Sequence, residues 1–177
     1  MYSCSGNYTP KPRGFLRIEP ASAQYMVLDE KELPYSFSVS MQTTIELPLA
    51  GSSEGWININ YPIFNAKIYC NYNSITAKTL NGNIEECLKL TERAARNDAV
   101  ITKRAYENKY NSVYGILFLV DGESASPIQF MLTDSVTHFF RGALYYKYKS
   151  SADSIAPVTD YIRKDIEEII QTFHWKK

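Results

Sequence analysis

The stretch 153–173, Asp153-Ser154-Ile155-Ala156-Pro157-Val158 running on to Ile169-Ile170-Gln171-Thr172-Phe173, decides the fold. Val158, Tyr161, Ile162, Asp165, Ile166, Ile169, Ile170 and Phe173 recur at helical spacing, with Asp165 the one polar residue among them. Asp153-Ser154 offers an N-cap, and Pro157 suits a first turn. Lys176 and Lys177 place positive charge where the helix dipole favours it. His174 reads as a donor to the last carbonyls. Six large apolar side chains on such a stripe bury on the order of 10 kcal/mol of transfer free energy. That is comparable to the net stability of a whole domain, so the docking of this helix onto a sheet governs folding.

The partner sheet is written upstream. Tyr35-Ser36-Phe37-Ser38-Val39 and Trp56-Ile57-Asn58-Ile59-Asn60-Tyr61 alternate with period two, as half-buried strands do. Short strands are expected at 15–18, 24–28, 43–47 and 65–72, and residues 50–55 read as a loop. Four further strands, 100–107, 112–120, 127–133 and 137–149, are separated by short loops, which makes an antiparallel meander economical. The run Val113 to Val120 is nearly all apolar and suits a central strand covered on both faces. Between the two strand groups, a helix is expected to start at Asn83, with Glu86 in capping-box position and Ile84, Cys87, Leu88, Ala94 and Ala95 on one face. The expected class is α+β, a mostly antiparallel sheet with a C-terminal helix packed across it. The element order resembles the Mog1/PsbP-like α/β/α sandwich.

Composition agrees. The chain has 177 residues, 45% hydrophobic and 21% charged, an ordinary globular mix. Fourteen Tyr and eight Phe lean towards β structure. Nineteen basic and nineteen acidic residues balance, which argues against nucleic acid as a partner. No run of eighteen apolar residues occurs, so a membrane-spanning helix is not expected.

The ends carry a second message. Met1-Tyr2-Ser3-Cys4-Ser5-Gly6 reads either as the end of a lipobox whose hydrophobic part is missing, with Cys4 acylated, or as an ordinary Cys near a terminus. Residues 1–13 form a tail whose Pro10-Lys11-Pro12 favours an extended spacer, and 14–177 form one globular domain. Cys70 and Cys87 read first as small buried hydrophobes, a disulfide between them staying open. No metal or cofactor is expected, because no CxxC or HxxxH spacing exists.

Chemistry-bearing candidates are few. Asp134, Ser135 and His138 sit together, and the choice is between a turn bonding its own backbone and a small hydrolase; adjacency without a G-x-S-x-G elbow favours the turn. Arg13, Phe15, Trp56, His138, Arg141 and Trp175 are the aromatic and basic residues suited to a protein interface.

Several segments together resemble the gliding motility lipoprotein GldD family. They are Cys4 with Tyr8-Thr9-Pro10-Lys11-Pro12-Arg13-Gly14, Val113-Tyr114-Gly115, Gln129-Phe130, Thr133-Asp134-Ser135, His138-Phe139, Arg141-Gly142-Ala143-Leu144-Tyr145, Asp153 to Val158, and Thr172-Phe173 with Trp175. The resemblance implies an exported envelope lipoprotein of Bacteroidetes, lipidated at Cys4 and facing the periplasm. It implies a non-enzymatic role in gliding and the linked type IX secretion machinery, with other envelope proteins of that machinery as partners and no catalytic residues. Asp134-Ser135-Val136 and Asp153-Ser154-Ile155 also resemble the O-glycosylation acceptor of exported Bacteroidetes proteins, at Ser135 and Ser154.

Overall fold

A computed structural model describes residues 24–47, 55–96, 98–148 and 152–176. The strands are β1 (Tyr25–Leu28), β2 (Tyr35–Ser40), β3 (Thr44–Glu46), β4 (Ile57–Tyr61), β5 (Ala66–Ser74), β6 (Val100–Asn108), β7 (Val113–Asp121), β8 (Ile128–Thr133), β9 (His138–Tyr146) and β10 (His174–Trp175). The helices are α1 (Ala77–Ala94) and α2 (Ala152–Thr172). Seven strands form one antiparallel sheet in the order β3-β4-β5-β9-β8-β7-β6. The expected meander is present as β6 to β9, and β1-β2-β10 make a smaller sheet beside α2.

The two faces of the large sheet hold separate cores. Ile57, Cys70, Leu117, Phe130, Ile59, Ile68 and Leu144 pack with β2 and with Ile162, Ile166, Ile169 and Ile170 of α2. The register aligns Ile57, Cys70, Gly142, Phe130 and Leu117 across five strands, so they share that face. On the other face Ile75, Phe118, Met131 and Phe139 pack with Cys87, Leu80, Ile84 and Leu88 of α1. The result is a helix–sheet–helix sandwich, mostly antiparallel, with the C-terminal helix lying across it as its stripe required.

Several expectations change. Helix α1 begins at Ala77, before Asn83, because Thr76 and Thr79 form a reciprocal cap, with Thr76 N–H donating to Thr79 Oγ1 at 2.9 Å. The centre of the sheet is β9, whereas the apolar strand β7 lies next to the edge strand β6 and is covered by a helix on each face. Helix α2 begins at Ala152, so Asp153 and Ser154 lie inside its first turn. The chain leaves the helix at Thr172, and His174 and Trp175 pair with β2, while His174 Nδ1 keeps the expected contact with a last-turn carbonyl, 3.4 Å from Thr172 O. Lys176 binds Asp29 and the Glu30 carbonyl, both at 2.6 Å, and so ties down the chain end. Strand β2 alternates in sequence, but Ser36 and Ser40 are buried with the aromatics, because the strand is covered on both sides. The strand expected at 15–18 lies outside the described residues.

Candidate interaction surface

The sandwich gathers aromatic residues at the end of the sheet where β5 finishes and β9 begins. Gly55 adopts φ +74 and leaves no room for a Cβ beneath the Tyr72 ring, so the turn admits glycine there. The turn is fastened by Tyr35, whose hydroxyl donates to Gly55 O at 2.6 Å. It presents Trp56, 40% exposed, whose indole N–H donates to Tyr72 O at 3.0 Å. The Tyr72 hydroxyl lies 2.7 Å from His138 Nδ1. His138 stacks on Trp175, with ring centroids 4.9 Å apart and planes 12° from parallel. Trp175 donates its indole N–H to Ser112 O at 3.2 Å and meets Phe173 edge-on.

Trp56, His138 and Trp175 come from three distant segments; Tyr72 links Trp56 to His138, and Trp175 joins by stacking on His138. The arrangement joins half-exposed rings to a rigid aromatic base of Tyr35, Phe140 and Phe173. Rings whose rotamers are already held lose little entropy on binding, which suits a protein anchor. Burial pushes the Tyr72 phenol above its ordinary range, and the Asp134 charge adds to that, so it stays a neutral hydroxyl.

Arg141 does not join this cluster. Strand β9 alternates, with Phe140 and Leu144 facing α2 and Phe139 and Arg141 facing α1. There Arg141 Nη2 donates to Gln129 Oε1, while Arg141 Nε and Gln129 Nε2 are buried with no protein partner. Cys87 lies beside it; burial pushes that thiol up, and Arg141 only partly offsets the effect. Cys70 is buried in the opposite core, so both cysteines are free and the sheet separates them. Cys4, Arg13 and Phe15 lie outside the described residues.

Asp134, Ser135 and His138 form a turn. Asp134 Oδ1 accepts the backbone N–H of Val136, Thr137 and His138 at 2.8–2.9 Å, and Oδ2 accepts Thr137 Oγ1 at 2.7 Å. Burial raises this carboxyl, but those hydrogen bonds outweigh it and hold it below the usual range. With Asp134 bound to its own loop and His138 Nδ1 at Tyr72, the links a Ser-His-Asp triad needs run elsewhere. Ser135 is exposed at φ +68, and Ser154 lies in the first turn of α2.

A cavity of about 590 Å³, which sequence reading missed, lies between the start of α2 and the β7–β8 turn. Arg96, Tyr146, Lys147, Thr159, Asp160 and Arg163 line it. Arg163 is held by Asp160 and Glu167, and Thr159 by the Tyr146 hydroxyl. These residues are scattered through the sequence, and no local spacing marks them. Among the described residues no cluster of His, Cys, Asp and Glu is placed to hold a metal ion, and no helix is long and apolar enough to cross a membrane.

A model of the family described as gliding motility lipoprotein GldD matches residues 5–175. Among solved structures, cyanobacterial PsbP (CyanoP) from Synechocystis sp. PCC 6803 is similar at 12% identity and a TM-score of 0.49, covering 93% of this chain and 99% of its own. No curated protein matches the sequence.

Proposed function

Because the chain belongs to the gliding motility lipoprotein GldD family, we propose that it is a periplasm-facing envelope subunit of the gliding and type IX secretion machinery. Acyl chains on Cys4 hold it to the membrane, residues 5–13 act as the spacer, and the folded part binds other envelope proteins without doing chemistry. The observation that carries this reading is the chain of contacts that runs from Trp56 through Tyr72 and His138 to Trp175 at one end of the sheet. Such a patch resembles the aromatic anchors that dominate protein interfaces. The alternative, a hydrolase using Asp134, Ser135 and His138, has no assembled triad to support it. Both glycan acceptor serines, Ser135 in its loop and Ser154 in the first turn of α2, are exposed.

The test is complementation of a deletion strain with Trp56→Ala, with Trp175→Ala and with both. Envelope levels of each variant are measured beside secretion and colony spreading. The expected result is normal levels with secretion lost in the double variant. Full secretion by a normally folded double variant overturns the aromatic surface. A Cys4→Ala chain that still sediments with membranes overturns the anchor.

A further inference from the structure

Strand β6, Val100–Asn108, closes one side of the large sheet. It is nine residues long, contains no Pro or Gly, and pairs in unbroken register with β7 along one side. Among the described residues nothing pairs with its other side, and an edge of this length offers a row of backbone donors and acceptors to any strand that fits. Lys103 is exposed with no ion pair among the described residues; Arg104 reaches Glu167 at 3.3 Å and Glu107 reaches Lys109 at 3.6 Å, yet their side chains stay 48% and 53% exposed, so both are within reach of a strand laid along the edge. Charges in mid-edge repel most foreign strands. They do not repel a copy of themselves in one register.

We infer that β6 is a homodimerisation edge, pairing antiparallel with β6 of a second copy about a two-fold axis through Ala105. In that register Lys103 faces Glu107 of the partner subunit, Arg104 faces Tyr106 of the partner subunit, and Thr102 faces Asn108 of the partner subunit, each twice. A two-fold perpendicular to the sheet keeps odd residues on one face in both copies, so every pair meets on the same side. Opposite charges and a cation over a ring are favourable directly across an antiparallel pair. Ala105, small and exposed, meets itself at the axis without crowding. Shifting the register by two residues to centre on Arg104, or by four to centre on Lys103, sets like charges face to face at the axis. The large sheet becomes continuous across the two copies, with the aromatic end of each left free for other partners. The dimer is independent of what those partners are.

The experiment is sedimentation equilibrium of the full 177-residue chain in mild detergent, with Lys103→Glu, Glu107→Lys and the double exchange. Each single reversal turns two attractive pairs into repulsive ones and weakens dimerisation by about tenfold or more; the double exchange restores it to within about threefold. In a Cys4→Ser background, Ala105→Cys gives a covalent dimer on mild oxidation, because facing Cα atoms in such a pair lie about 4.5–5.5 Å apart, within disulfide reach. Tyr110→Cys, exposed beyond the strand, does not. A chain that stays monomeric at about 1 mM, a dimer indifferent to the single reversals, or no crosslink at position 105 overturns the inference.

Discussion

Tyr61 donates its hydroxyl to Asp165 at 3.1 Å and so joins strand β4 to helix α2 inside the core. Tyr25 donates to the other carboxylate oxygen at 3.0 Å and brings in β1. The single polar residue on the apolar stripe is therefore a clasp between the helix and both sheets. Burial raises the Asp165 carboxyl above its usual range, and the two phenols only partly counter that.

The sign of this shift sets a pH dependence. A carboxyl whose folded pKa is raised favours the folded state below its unfolded pKa, and that contribution is lost as pH rises through the folded value. Asp165→Asn keeps an acceptor without the charge. Its stability relative to the parent chain is expected to rise from pH 3 to pH 7, as measured by thermal unfolding. Asp165→Ala, which strands two phenols, loses on the order of 2–3 kcal/mol near pH 3, and the loss relative to the parent shrinks with the same slope as pH rises. A parent–Asn difference that is flat with pH contradicts the assignment.

Asp134 works in the opposite direction. Its carboxyl is held low by the loop N–H groups, so the stability it adds is present above the unfolded pKa and disappears as pH falls through the folded one. Asp134→Asn is expected to cost on the order of 2 kcal/mol at pH 7 and progressively less towards pH 3, read by urea denaturation. Hydrogen exchange at Val136, Thr137 and His138 should quicken in the variant.

Gly142, inside Arg141-Gly142-Ala143, lies under the Phe130 ring, and a Cβ there would drive into it. Gly142→Ala is expected to destabilise by about 1–3 kcal/mol through overpacking. The paired change Gly142→Ala with Phe130→Leu should recover part of that loss, because the smaller side chain opens the space. Equal losses in the single and paired variants would contradict this packing account.

Cys70 and Cys87 are buried in separate cores, and burial pushes both thiols up. Neither should react with a thiol reagent at pH 8 until the chain is unfolded, when both react at once. Gel mobility of the purified chain is expected to be the same with and without reductant, given Cys4 blocked.

The elements legible in the sequence were those with a local period. The stripe on α2 announced itself because residues one turn apart share a face, and the meander because its strands are joined by short loops. The start of α1 was not legible: Thr76 and Thr79 cap it without the usual acid, and Gly82 within the helix imitates a break. The side on which Arg141 lies was within reach, since strand parity opposes it to Phe140 once that residue is assigned to the core of α2.

Periodicity along one chain determined that this protein is a sheet crossed by a late helix, because burial of an apolar face depends only on which residues recur. Strand order, the division into two cores, and the contact of His138 with Trp175 were decided by tertiary structure alone. Those relations join residues far apart in sequence, and they exist only after packing has chosen which edges and faces meet.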